Sequence, residues 1–151
     1  MQWQRISRLV GFLLAGLVSA SPALSAPIDI ILYTGGDDLR GGSFFNFYIK
    51  LQGQPLRQFR DVNRRANLPN GSLNRYRLDL PELTSPDQVE YCEIEHVSQE
   101  SFPQTADNWN LDMAIVLFRP QGRGPSVVLC ERLSPHRFTG ASRRLVMQRA
   151  F

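Results

Sequence analysis

The chain has 151 residues, of which 42% are hydrophobic, 10% aromatic and 21% charged. This composition is typical of a globular protein and excludes a disordered or fibrous one. Its 2 cysteines exclude a disulfide-dense scaffold, and its 2 histidines leave little room for a histidine-rich metal centre. The formal net charge of +3 includes Arg5 and Arg8, and without them it is 15 − 14 = +1, which does not indicate nucleic-acid binding.

The first segment, 1–26, has the layout of a removable export signal. Its two arginines precede a short apolar run over 9–18, and small residues follow, so cleavage is expected within 20–26. The apolar run is short for the roughly 30 Å of hydrocarbon in a bilayer, and no second run follows it. We therefore predict an exported protein, periplasmic or extracellular, whose mature part has no transmembrane span. A signal anchor is the alternative.

The remainder, 27–151, alternates between apolar and polar residues with period two, the pattern of strands with one buried face. The positions predicted to share a face are Ile28, Ile30 and Leu32; Phe45, Phe47, Ile49 and Leu51; Tyr76, Leu78 and Leu80; and Leu111, Met113, Ile115 and Leu117. Further strands are predicted over 126–133 and 143–148, with Gly-, Pro- and Asp-rich turns between the runs. We therefore predict one all-β domain, an antiparallel β-sandwich of seven to eight strands, with a lipocalin-like β-barrel as the alternative.

Charge is distributed unevenly along this domain. Nine acidic residues and no Lys or Arg lie within 79–112, whereas 119–151 holds seven arginines and a single acidic residue, Glu131. Such blocks either mark a basic face for a partner or neutralise each other on neighbouring strands. We favour neutralisation.

The two cysteines, Cys92 and Cys130, each lie in a strand-like run of a chain that we predict to be exported, and disulfides persist in such proteins. A bridge between them would close a 38-residue separation and stabilise the fold by about 3–4 kcal/mol in the chain-entropy model. Two buried free thiols are the alternative, because cysteine also serves as a small core residue. We predict the disulfide.

Two segments carry a resemblance to a known family. Residues 34–42, TGGDDLRGG, follow the first strand, and residues 107–112, DNWNLD, precede a late one. The pair resembles exported β-sandwich modules of the PLAT-type, or lipoxygenase-homology, family, and the resemblance spans about 28–145. It implies an eight-stranded sandwich whose loops at one end recognise a lipid, a carbohydrate or a protein and perform no chemistry.

The resemblance also implies a calcium site, because PLAT-type loops often hold this ion. The matching oxygen donors are Asp37, Asp38, Asn46, Asp107 and Asp112, and such hard donors suit calcium. The alternative is that Asp37 and Asp38 only form a turn, and that Asp112 caps its own loop.

One departure from the family pattern concerns the segment after the second Gly-Gly. Family members tend to carry an Asn-Asp-Asn-like triplet there, whereas this chain has Ser43, Phe44, Phe45 and Asn46. The expected acidic position falls at or beside Phe45. Because ligand charge sets calcium affinity, a weak site is expected, with a Kd of roughly 10⁻⁴–10⁻³ M.

The predicted ligand site comprises the loops containing 35–46 and 103–112, with Arg40, Phe44 and Trp109 as its ligand-contacting residues. Phe44, if exposed, would resemble a tip that inserts into a membrane or ligand. Trp109 is either an exposed recognition residue or a plug buried under the loops, and burial is the more usual fate of such a ring.

No catalytic motif stands out. His96 and His136 have no metal-ligand spacing, and 140–142 lacks the glycine pattern of a nucleophile elbow. We therefore predict a protein that is not an enzyme. The alternative is a hydrolase or inhibitor of the envelope or extracellular space with an unrecognised site. Substrate turnover that is abolished by His96→Ala or His136→Ala would indicate this alternative.

Overall fold

The computed structural model describes residues 27–100, 105–120 and 125–151, so the predicted export signal lies outside the described residues. Nine antiparallel strands make up nearly all of the regular structure in these ranges. They are β1 (Pro27–Thr34), β2 (Phe44–Leu51), β3 (Arg57–Phe59), β4 (Leu73–Asp79), β5 (Val89–Val97), β6 (Trp109–Phe118), β7 (Val127–Arg132), β8 (His136–Phe138) and β9 (Arg144–Arg149). A 3-10 turn, Pro86–Gln88, precedes β5. The all-β prediction is confirmed.

The strands form a curled sheet in the order β3-β2-β5-β9-β7-β6-β1-β4, with β8 beside β6. Strand β9 connects the two layers of the sandwich, because it pairs with β5 through 144–147 and with β7 through 148–149. One layer therefore contains β3, β2, β5 and β9, and the other contains β4, β1, β6, β7 and β8. Strands β3 and β4 are the two ends of this order, so the sandwich has an open side between them, unlike a closed barrel.

The predicted disulfide is confirmed and lies at the bend of the sheet. It joins Cys92 on β5 to Cys130 on β7, and the two Cα atoms are 6.1 Å apart. These strands are separated by β9, and in a flat sheet two such strands would lie about 9.5 Å apart. The shorter distance shows that the sheet folds over at β9, and the bridge connects the layers at this fold.

The core lies between the two layers and is built from the alternating apolar positions. Ile28, Ile30 and Leu32 on β1, and Phe45 and Phe47 on β2, are fully buried, as predicted. The aromatic centre of this core is Trp109, whose ring stacks on Phe138 at 5.1 Å and lies 5.9 Å from Phe45. On β1 and β2, the alternation of side chains along the strand therefore explains which residues fill the interior.

One face assignment, on β6, is wrong. Leu111 is buried, but Met113, Ile115 and Leu117 lie on the outer face, where they are half-buried, and Ala114, Val116 and Phe118 take the core positions. The pairing of β1 with β6 shifts between Tyr33 and Thr34, opposite 113 and 111. The extra residue at this shift is Asp112, and a bulge of one residue moves every later side chain to the other face.

Candidate functional site

The two segments that carry the family resemblance meet at one end of the sandwich, which we call the loop end. It is formed by the loops 35–43, 60–72, 98–108 and 139–143, of which 101–104 lie outside the described residues. The amide of Gly35 donates to the Asn110 carbonyl at 2.8 Å, and the amide of Asn110 donates to the Asp37 carbonyl at 2.9 Å. Backbone hydrogen bonds therefore hold the first loop directly against the start of β6.

An ion pair between Arg40 and Asp107 fastens the same two segments. Asp107 is 1% exposed. Its carboxylate accepts hydrogen bonds from the Arg40 amide at 3.0 Å and from Arg40 Nε at 2.6 Å. A further guanidinium nitrogen of Arg40 donates to the Thr105 carbonyl at 3.2 Å. A predicted calcium donor and a predicted ligand-contacting residue thus bind each other.

The charge of Asp107 is stabilised in this buried place. Burial acts to raise the pKa of the carboxyl, but His96, Arg40 and Ser43 together outweigh it and hold the pKa below its usual range. His96 is itself buried, with Nε2 3.8 Å from Asp107 Oδ2. It packs beside the Trp109 and Phe138 rings, so it is inaccessible to a substrate at the surface.

Asp37 and Asp112 lie on the outer side of the loop end, away from Asp107. The Asp37 carboxylate accepts a hydrogen bond from Arg137 at 2.9 Å, and the same guanidinium donates to the Asn110 side chain at 3.1 Å. The Asp112 carboxylate lies against Gly35, where a Cβ atom would overlap it unless the carboxylate moved. The guanidinium of Arg137 therefore occupies the place beside Asp37 that a cation would take.

The remaining predicted calcium donors, Asp38 and Asn46, do not join these residues in one cluster. Asp38 is a half-buried residue of the first loop. Asn46 points to the outer face of the other layer, where it donates to Glu95 at 2.9 Å and accepts from the Asp61 amide at 3.0 Å. Across residues 27–100, 105–120 and 125–151, no group of three or more His, Cys, Asp or Glu side chains is placed to hold a metal ion.

Of the two predicted ligand-contacting aromatic residues, the structure leaves one half-buried and buries the other fully. Trp109 is fully buried, and its Nε1 donates to Thr34 Oγ1 at 3.3 Å. Its ring therefore supports the loops from below and does not reach a ligand, which corrects its assignment to the ligand-contacting set. Phe44 is half-buried, and the Arg65 guanidinium lies over its ring at 5.2 Å.

A second feature, which the sequence reasoning missed, is a cleft on the open side of the sandwich. It lies between the segment 59–64 and β4 and has a volume of about 510 Å³. Its charged lining consists of Arg60, Arg64, Arg75 and Arg77 with Asp61. The sequence signals were the arginines in 60–65 and the alternating arginines of β4, but only the fold places these two segments opposite each other.

Comparison with solved structures shows the fold. The structure is similar to a crystal structure of alpha-toxin from an avian strain of Clostridium perfringens, with a TM-score of 0.60 and 15% identity, covering 86% of this chain and 33% of the toxin. It is also similar to Delta413-417:GS LOX in complex with arachidonate, with a TM-score of 0.52 and 11% identity, covering 83% of this chain and 16% of that protein. The shared fold is the PLAT/C2-like β-sandwich.

These similarities are structural, and the chain spans only a third or less of the proteins it matches. No family model matches the sequence. A search of curated proteins also found no match. Among the described residues, no helix is long and apolar enough to cross a membrane.

Proposed function

We propose that the chain is an exported, non-catalytic binding module that recognises a lipid, a carbohydrate or a protein through its loop end. The observation that carries the proposal is the fastening of the loops 35–43 and 98–108 by the Arg40–Asp107 ion pair. Such cross-linking pre-organises a surface, which lowers the entropy cost of binding. Arg40 and Phe44, both partly exposed, are the ligand-contacting residues of this proposal.

A lipid surface is the ligand class to test first. The alpha-toxin and LOX structures share the fold, and the LOX structure was determined in complex with arachidonate. A partly exposed aromatic ring beside arginine side chains also suits an interface, where an apolar body and a cationic group contact lipid together. The disulfide between the layers fits an oxidising, exported location.

Calcium is the second part of the proposal. The candidate position is the outer side of the loop end, where Asp37 and Asp112 supply carboxylates and the loop supplies carbonyl oxygens. Arg137 competes there for Asp37. This competition, together with Phe45 at or beside the expected acidic position, supports a weak site that responds only to millimolar calcium.

The test combines vesicle flotation and thermal unfolding of the mature chain, each in 10 mM Ca²⁺ and in EDTA. At 10- to 100-fold excess over Kd, calcium should stabilise the fold by about 1.4–2.7 kcal/mol and raise the Tm by roughly 5–10 °C. Asp37→Ala and Asp112→Ala should remove this shift, whereas Arg137→Gln should enlarge it. Asp87→Ala, on the exposed turn before β5, is the matched control.

Flotation with phosphatidylcholine vesicles containing phosphatidylserine, run beside a glycan array, tests the ligand class. Phe44→Ala should weaken the binding of the ligand that these two assays identify. Leu133→Ala, which changes an exposed apolar residue between β7 and β8, should not weaken it. Equal effects of the two substitutions would show that the loop end is not the binding surface. If calcium raised the Tm equally in all the aspartate variants, Asp37 and Asp112 would be shown only to form turns.

A further inference from the structure

The two outer faces of the sandwich differ in chemistry. On the layer of β3, β2, β5 and β9 the outer face is polar, and Glu95 there accepts hydrogen bonds from Asn46 and Tyr48 and pairs with Arg144. On the other layer, β4, β1, β6 and β7 direct apolar side chains outwards, a set that we call the apolar face: Leu73, Tyr33, Ile31, Met113, Ile115, Leu117 and Val128. Leu73 is 65% exposed, Tyr33 is 38% exposed and the others are half-buried. The water-facing side of an antiparallel sheet is ordinarily polar, so this face has the character of a contact surface.

The strand register arranges the apolar face in rows across the sheet. Ile31 lies opposite Arg75 of β4 on one side and opposite Ile115 of β6 on the other, and Ile115 lies opposite Glu131 of β7. Residues directly opposite each other point to the same face. One row therefore has a basic residue at one end, an acidic residue at the other and two isoleucines between them. The two ends lie about 14 Å apart, the width of three strand spacings.

The charges at the two ends of this row are unbalanced. At the basic end, Arg75, Arg77 and Arg119 lie 2.5, 3.1 and 3.6 Å from the same carboxylate, that of Asp29. These four side chains have a formal charge of 3 − 1 = +2, and Arg75 and Arg77 are exposed. At the acidic end, Glu131 is half-buried, and its side chain has no ion pair or hydrogen bond within the described chain. The face thus has excess positive charge on β4 and an unpartnered negative charge on β7.

From these observations we propose that the apolar face binds a second copy of this chain. A two-fold axis parallel to the strands, between β1 and β6, would place β4 of one copy on β7 of the other. Arg75 would then face Glu131 of the second copy, and Ile31 would face its Ile115, each contact occurring twice. A surface that complements itself in this way is what a two-fold interface requires. Sheets that pack face to face keep their strands within about 30° of each other, which this arrangement allows.

The size of the face sets the expected affinity. Four strands at about 4.8 Å spacing and six residues at about 3.4 Å give roughly 20 Å by 20 Å, or ~400 Å² in projection. This is small beside the ~800 Å² of accessible surface that each partner buries in a standard interface. We therefore expect a reversible dimer with a Kd of about 10⁻⁶–10⁻⁴ M. A lipid surface fits less well, because it would cover Glu131 without supplying a partner for its charge.

Such a dimer has a consequence for the loop end. Because the axis is parallel to the strands, both loop ends would lie at the same end of the dimer. None of the residues of the apolar face belongs to the loops 35–43, 60–72, 98–108 and 139–143. The dimer would thus present two loop ends to one surface, which raises avidity if these loops bind a ligand. The dimer itself does not depend on the proposed function.

The test is sedimentation velocity of the disulfide-bonded mature chain from about 2 to 500 µM, in 50 and in 500 mM NaCl. The average mass should rise from one copy towards two across this range. The higher salt should weaken association several-fold, because it screens the contacts between Arg75 and Glu131. A monomer at every concentration would overturn the proposal. Growth beyond two copies would also overturn it, because a two-fold contact closes.

Two charge reversals test the pairing itself. Glu131→Arg and Arg75→Glu should each weaken self-association by about tenfold or more, since each places like charges opposite one another in both contacts. An equimolar mixture of the two variants should dimerise like the parent, because each contact of the mixed dimer again joins opposite charges. Glu90→Arg, on β5 in the other layer, is the matched control and should also dimerise like the parent. A mixture that stays monomeric, although both variants keep the parent Tm, would refute this pairing.

Arg75→Glu also brings a second acid towards Asp29, so a variant that leaves that group intact completes the test. Tyr33→Ser removes an exposed apolar side chain from the face and should weaken self-association by about tenfold. Parent-like dimers of both Tyr33→Ser and Glu131→Arg would refute the apolar face as the interface, whatever the vesicle experiment shows for the loop end.

Discussion

Arg40 and Asp107 form an ion pair whose two members differ strongly in exposure. The Arg40 side chain is 42% exposed, whereas that of Asp107 is 2% exposed. Removing the buried member leaves an arginine that water can solvate, but removing the exposed guanidinium leaves a buried carboxylate that keeps only the amide of residue 40, Ser43 and His96. A buried charge without its partner is the costlier outcome.

We therefore predict an asymmetry between substitutions at this pair. Arg40→Met should lower the free energy of unfolding by about 3 kcal/mol, and Asp107→Asn by only about 1–2 kcal/mol. Urea unfolding monitored by tryptophan fluorescence measures both, since Trp109 lies in the core nearby. The control is Arg143→Ala, which breaks an exposed pair with Glu100 and should cost less than about 1 kcal/mol. A larger loss for Asp107→Asn than for Arg40→Met would contradict this account.

At the scale of the strands, the disulfide is the contact that crosses from one layer to the other at the bend. It joins β5 to β7 over the intervening β9 and spans 38 residues of sequence. Replacing both cysteines with alanine should lower the free energy of unfolding by about 3–4 kcal/mol, because the unfolded chain regains the entropy of an open loop. Thermal unfolding of the double variant beside the reduced parent protein tests this. If reduction of the parent leaves its Tm unchanged, the bridge contributes no stability.

The strand predictions are right where the alternation continues over a whole strand, and wrong where a bulge inserts one residue. On β1 and β2 the period-two pattern identifies the buried faces, because one face of each strand packs on the core. On β6 the bulge at Asp112 reverses the faces, and nothing in the local sequence specifies it. Strands β3 and β8 have 3 residues each, too few for alternation to register.

The alternation of side chains along β2 also determines where one predicted site residue points. Since Phe45 and Phe47 point into the core, Asn46 between them must point outwards, away from Asp107, so the predicted donor set conflicts with the predicted strand. The meeting of 34–42 with 107–112 follows from the family resemblance. The cleft and the His96–Asp107 contact depend on which strands become neighbours, and a single sequence does not determine this.

Over the whole molecule, the acidic and basic blocks of the sequence neutralise each other across neighbouring strands, as predicted. Arg144 on β9 contacts Glu93 at 2.9 Å and Glu95 at 3.3 Å on β5. Arg143 pairs with Glu100 at 3.0 Å. Among the described arginines of 119–151, three pair with the acidic block 79–112, namely Arg143, Arg144 and Arg149. Two others pair with aspartates outside that block, Arg119 with Asp29 and Arg137 with Asp37.

Because these carboxylates are neutralised by arginines, the free energy of unfolding depends on pH in the acidic range. Burial acts to raise the pKa values of Asp29 and Glu95, but Arg75 and Arg77 around Asp29, and Asn46, Tyr48 and Arg144 around Glu95, outweigh it and lower both; the pKa of Asp107 is lowered as well. A carboxyl whose pKa is lower in the folded state stabilises the fold above its unfolded pKa, near 4, and loses this contribution as pH falls through the folded value.

The free energy of unfolding should accordingly be insensitive to these three groups above about pH 5 and fall as pH decreases from there towards 2. Each group contributes a slope of at most about 1.4 kcal/mol per pH unit. Urea midpoints measured from pH 2 to 5 test this, with Asp29→Asn and Glu95→Gln expected to flatten the profile. Asp87→Asn, whose side chain is 87% exposed, should leave the profile as it is. A parent profile that is already flat below pH 4 would show that these carboxylates gain nothing from their arginines.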